Sequence, residues 1–60
     1  MNESQSQLIR ATVSLLLEAQ GLMEALRKGC EGQGADPETV DMIKLAYMTT
    51  DTVIATLRMI

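Results

Sequence analysis

The sequence predicts an all-α chain, an antiparallel helical hairpin that self-associates into a four-helix bundle. Two segments with apolar residues at alternating three- and four-residue spacing flank one glycine-rich break. The second observation is the amount of apolar material. Of 60 residues, 47% are hydrophobic, more than a single pair of helices can cover. The third is the lack of any other means of holding so short a chain together. A domain of this size buries only about 60% of its unfolded surface. One cysteine cannot close an internal disulfide, and one cysteine with no histidine builds no ordinary zinc site. Association is the remaining common remedy.

Helix 1 is expected over residues 4–28. Asn2, Ser4 and Ser6 are capping candidates, and Ser4 with Gln7 has capping-box spacing. Ile9, Thr12, Leu16, Ala19, Met23, Leu26 and Cys30 form a 3-4-3-4 seam. Leu8, Leu15 and Leu22 recur at every seventh position and widen it, and Val13 and Leu17 lie at its other edge. A face this wide suits a bundle helix better than a two-stranded zipper. Glu24 and Lys28 have the spacing of a favourable ion pair. Arg27 and Lys28 fall in the expected last turn, where cations suit the helix dipole, and Gly29 offers a left-handed cap. Gly21 sits inside the helix at a cost of about 1 kcal/mol relative to alanine.

The break covers residues 29–35, with glycines at 29, 32 and 34. A helix running one turn further would stop at Gly32 and place Cys30 on the seam.

Helix 2 is expected over residues 37–59. Asp36 is its N-cap, Pro37 its first residue, and Glu38 suits its first turn. Val40, Ile43, Tyr47, Thr50, Ile54 and Leu57 repeat at 3-4-3-4-3 spacing. Leu45, Ala46, Val53 and Ile60 spread the apolar surface sideways, while Asp41 and Lys44 are placed to pair. The run of residues 49–56 is rich in β-branched residues, which lowers helix propensity. A lone strand would have no sheet to join, and the helical spacing runs through the segment to Leu57, so helix is the expectation.

Composition excludes several chemistries. Cys30 is the only candidate nucleophile, it lies near a helix C-terminus that disfavours a thiolate, and no histidine exists to act as its base. The carboxylates match no calcium loop. The glycines lack the preceding strand and the following Lys-Ser/Thr of a phosphate cradle. No catalysis, cofactor or metal is expected. The longest apolar run is Leu15–Leu17, far short of the roughly 20 residues of a membrane span. The polar start, carrying Glu3, does not match an export signal, so a cytoplasmic protein is expected.

The expected unit is one domain, residues 1–60, working by contact. Candidate interface or partner-binding residues are Leu16, Met23 and Leu26 on helix 1. On helix 2 they are Val40, Met42, Ile43, Leu45, Tyr47, Met48, Ile54 and Leu57. The methionines suit an adaptable face that accepts another protein's helix. The expected partners are a second copy of the chain, in a dimer, and a helix of another protein. An adaptor, an anti-regulator or a secretion-type chaperone fits this description. The alternative is a dimeric nucleic-acid-linked regulator. Its only basic candidates are Arg10 and Arg58, brought together at the open end of the hairpin, and a net charge of −3 opposes it.

Overall fold

The computed structural model describes residues 2–60. It is a two-helix antiparallel hairpin of α1, Glu3–Gly32, and α2, Pro37–Arg58. The helices lie side by side in a single layer of 48 × 15 × 9 Å.

Helix α1 begins at Glu3, one residue before the expected Ser4, and Asn2 is its N-cap. The Gln5 amide donates to Asn2 Oδ1 at 2.8 Å, and the Asn2 amide donates back to Gln5 Oε1 at 3.2 Å. This reciprocal box satisfies two donors left open at a helix start. The expected Ser4–Gln7 box is thereby displaced, because both residues already lie within the helix.

The other end of α1 also moves. The helix continues through Gly29 to Gly32. The left-handed position is Gly34, with φ +75°, and not Gly29. The Ala35 amide donates to the Cys30 carbonyl at 2.9 Å and the Gly34 amide to the Glu31 carbonyl at 3.3 Å. That pair of bonds closes a Schellman motif, which requires a positive φ at residue 34. The extra turn carries Cys30 onto the seam, where it is half-buried. It also removes Arg27 and Lys28 from the final turn, which contains no basic residue.

Helix α2 follows the expected start signals. Asp36 Oδ1 accepts from the Thr39 amide at 2.8 Å, and Pro37 occupies the first turn. The β-branched run is helical throughout. The hydroxyls of Thr49, Thr50, Thr52 and Thr56 each donate to the carbonyl four residues earlier, at 2.9–3.2 Å. Each threonine thus satisfies its polar group within its own helix, and no strand is needed to do so.

The seam between the helices is thin. Val13, Val40 and Ile54 are its buried apolar side chains, and Gln20 and Thr50 are buried with them. On α2 the buried and half-buried positions are Val40, Ile43, Tyr47, Thr50, Ile54 and Leu57, as the spacing predicts. On α1 they are Ser6, Ile9, Val13, Leu16, Gln20, Met23, Arg27 and Cys30, with half-buried Ala19 and Glu24 at the edges. Val13, Gln20 and Arg27 take the places expected for Thr12, Ala19 and Leu26. The helix is turned by one residue about the fixed line Ile9–Leu16–Met23–Cys30. Gln20 accounts for this rotation, because its Nε2 reaches the Tyr47 carbonyl at 3.5 Å and Asp51 Oδ1 at 3.4 Å.

Candidate interaction surface

That rotation divides the hairpin into two unlike sides. On α1, the residues immediately before the seam positions are Leu8, Thr12, Leu15, Ala19, Leu22 and Leu26. On α2 the corresponding row is Met42, Ala46, Thr49, Val53 and Thr56. Neither row holds a charge. The residues immediately after the seam positions are different. They include Arg10, Glu24, Lys28 and Glu31 on α1, and Asp41, Lys44, Asp51 and Arg58 on α2.

The preceding rows of two right-handed, antiparallel helices fall on the same side of the pair, and so do the following rows. The contacts agree with that geometry. Gln20 reaches Asp51, and Arg10 and Arg58 line one cleft. The hairpin therefore has one broad uncharged side and one charged side.

The uncharged side is exposed. Leu8 is 66% accessible, Leu15 66% and Leu22 71%, and Leu26, Met42 and Val53 are also open. Its polar atoms are already bonded. The Thr12 hydroxyl donates to the Leu8 carbonyl at 2.8 Å, and Thr49 and Thr56 bond to their own helix in the same way. Covering this side leaves no hydroxyl donor stranded, so the main desolvation cost of such a surface is absent.

The expected partner-binding residues separate into two groups. Leu16, Met23, Val40, Ile43, Tyr47, Ile54 and Leu57 are used by the hairpin's own seam. Leu26 and Met42 belong to the uncharged side. Leu45 and Met48 are each 65% exposed but lie around the back of α2, Met48 toward the charged side. Sequence reasoning missed Leu8, Leu15 and Leu22 as surface residues in their own right. Their seven-residue repeat was the available signal, absorbed there into a single wide stripe.

At the open end of the hairpin, Arg10 and Arg58 stand on the two helices beside one cleft. They line a cleft of about 440 Å³ with Ser6, Ile9, Val13, Leu57 and Ile60. Near the turn, Arg27 takes the pairing expected of Lys28. Its guanidinium grips Glu24 through Nε and Nη2 at 3.0 and 2.9 Å, and Glu31 through Nη1 at 3.0 Å. The hydrogen bonds from Arg27 hold the Glu24 carboxyl below the usual carboxylate range, and the two carboxylates raise the guanidinium further above its ordinary value. The Thr39 amide and hydroxyl lower the Asp36 carboxyl in the same manner. Among the described residues, the salt bridges found are these two of Arg27, and Asp41 and Lys44 do not pair.

Among the described residues, no group of three or more Cys, Asp or Glu side chains is placed to hold a metal ion. Among the same residues, no helix is long and apolar enough to cross a membrane. No protein-family model matches the sequence, and neither the characterised proteins nor the solved structures compared with it give a match.

Proposed function

We propose that this chain is a small, non-catalytic protein–protein interaction module that completes a helical bundle with a partner through its uncharged side. The finer architecture that suits this reading is a four-helix bundle, with one pair of helices from each partner. Adaptor, anti-regulator and secretion-type chaperone are all forms of such a module. One observation carries the proposal: a complete side of the hairpin offers leucines to solvent, has no charge, and has its hydroxyls already bonded.

A photo-cross-linking amino acid placed at Leu15, and separately at Leu17 on the opposite side, tests it in the producing cell. Protein adducts are expected at residue 15 and few at residue 17. Equal yields at the two positions, or none at either, would end the proposal.

A second reading, a nucleic-acid-linked regulator, draws on the convergence of Arg10 and Arg58. Two cations on an acidic chain give a short electrostatic footprint, which favours the first reading. Binding of a labelled duplex or single strand that is lost in the Arg10→Ala, Arg58→Ala double variant would reverse that preference.

A further inference from the structure

We infer that the occupant of the uncharged side is a second copy of this chain, docked face to face through an isologous two-fold interface. The inference rests on the interaction-module reading and goes further by naming the partner.

Three properties of the surface select a copy of the chain. The first is size. The broad side measures about 48 by 15 Å between Cα atoms. With side chains, that is comparable to the roughly 800 Å² per partner that stable interfaces bury. The second is charge. Two chains of net charge −3 repel, so a self-interface must keep charge out of its centre. The exposed ionic rows lie on the opposite side of the hairpin, which leaves them in water when the uncharged sides meet. The third is the need for cover. Val13, Val40 and Ile54 are the only apolar side chains buried among the described residues, and none is fully enclosed. A two-fold dimer places the leucine row of α1 from both copies in one core, so each chain supplies the burial the other lacks. A foreign partner would have to match the same length, the same lack of charge and the same apolar rows, all of which a second copy has by identity.

Sedimentation equilibrium of the full chain between about 1 and 100 μM, a range spanning typical dimer affinities, tests the inference. A mass of twice 6.6 kDa is expected in the upper part of that range. Leu15→Glu should weaken the dimer at least about tenfold, as loss of a central apolar anchor does. Leu17→Glu, an exposed leucine on the charged side, should leave it unchanged. Spin labels provide a reading that does not depend on a disruptive variant. In the Cys30→Ser background, a label at residue 15 should lie closer to its symmetry mate than a label at residue 17, by about one helix diameter, ~10 Å.

A folded monomer at 100 μM overturns the inference. A dimer broken by Leu17→Glu and indifferent to Leu15→Glu does so too, as does the reverse order of label distances. A folded monomer whose residue-15 cross-linker still captures another protein in the cell removes the second copy and leaves the interaction module standing. Failure of the cross-linking contrast itself removes the module.

Discussion

Gln20 is buried in the helix–helix seam and shares its amide between the Tyr47 carbonyl, 3.5 Å away, and Asp51 Oδ1, 3.4 Å away. Both bonds are long, and Asp51 is exposed and can be solvated without Gln20. The pair sets which line of α1 faces α2 more than it stabilises the fold. Gln20→Leu should therefore raise stability toward urea, by about 1 kcal/mol through added apolar burial. Leucine also makes the row through Val13 and residue 20 more apolar, so the observed seam should be kept. Amide NMR spectra should show one sharp set of resonances along α1. Lowered stability, or doubled resonances along α1, would contradict this account.

Ile54 and Val53 are neighbours with opposite roles. Ile54 is 3% exposed in the seam, and Val53 stands on the uncharged side. Ile54→Ala should cost about 2–5 kcal/mol, the usual range for a core isoleucine, a large fraction of what so small a domain possesses. Val53→Ala should act mainly on association. Chemical denaturation at two protein concentrations separates the effects, since only a loss of association shrinks on concentrating the sample.

Two glycines predict substitutions of opposite sign. Gly21 is helical, and nothing lies within 4 Å of a Cβ placed on it. Gly21→Ala should stabilise by up to about 1 kcal/mol through helix propensity. Gly34 also has free space around it but adopts φ +75°. Gly34→Ala should destabilise by about 1–2 kcal/mol, because the left-handed conformation itself opposes a Cβ. Thermal melts of the two variants should move in opposite directions.

Acid should weaken the fold through two identified carboxylates. Asp36 and Glu24 are held below their ordinary values of 3.8 and 4.5, by the Thr39 amide and by Arg27 respectively. A depressed carboxylate stabilises the folded state fully above its unfolded value, and that contribution is lost as pH falls through the folded value. The melting temperature should be flat from about pH 8 to pH 5 and then decline toward about pH 2. Asp36→Asn keeps a capping acceptor without the titration and should make the decline shallower. An unchanged slope in that variant would remove Asp36 as a cause.

The fold was legible to the extent that each helix has one dominant apolar line. In α2 the row from Val40 to Leu57 holds the larger apolar side chains, and Asp41, Lys44, Asp51 and Arg58 bound it on one side, so spacing alone locates the seam. In α1 two rows share Ile9, Leu16, Met23 and Cys30, one through Thr12, Ala19 and Leu26, the other through Val13, Gln20 and Arg27. Hydrophobicity favours the first, and the hairpin uses the second. A polar group that reaches across to the neighbouring helix, as Gln20 does, leaves no trace in the periodicity of its own helix. The turn was legible as a region, but its decisive residue was not. Gly29, Gly32 and Gly34 look alike in sequence, and the carbonyls of Cys30 and Glu31 decide which adopts the positive φ. The interaction surface follows from the seam and shares its ambiguity, which is why Leu8, Leu15 and Leu22 stand out only once the rotation of α1 is known.

Residues 33–36 join helices whose shared seam is thin and partly polar. As separate peptides, two such helices would meet only as often as diffusion allows. A connection this short holds each at an effective concentration near the millimolar range seen by its mate. Cutting the chain there leaves every side-chain contact available and removes only that proximity. The turn thus supplies the local concentration that lets a weak seam keep two helices in one layer, with their leucine rows on the same side.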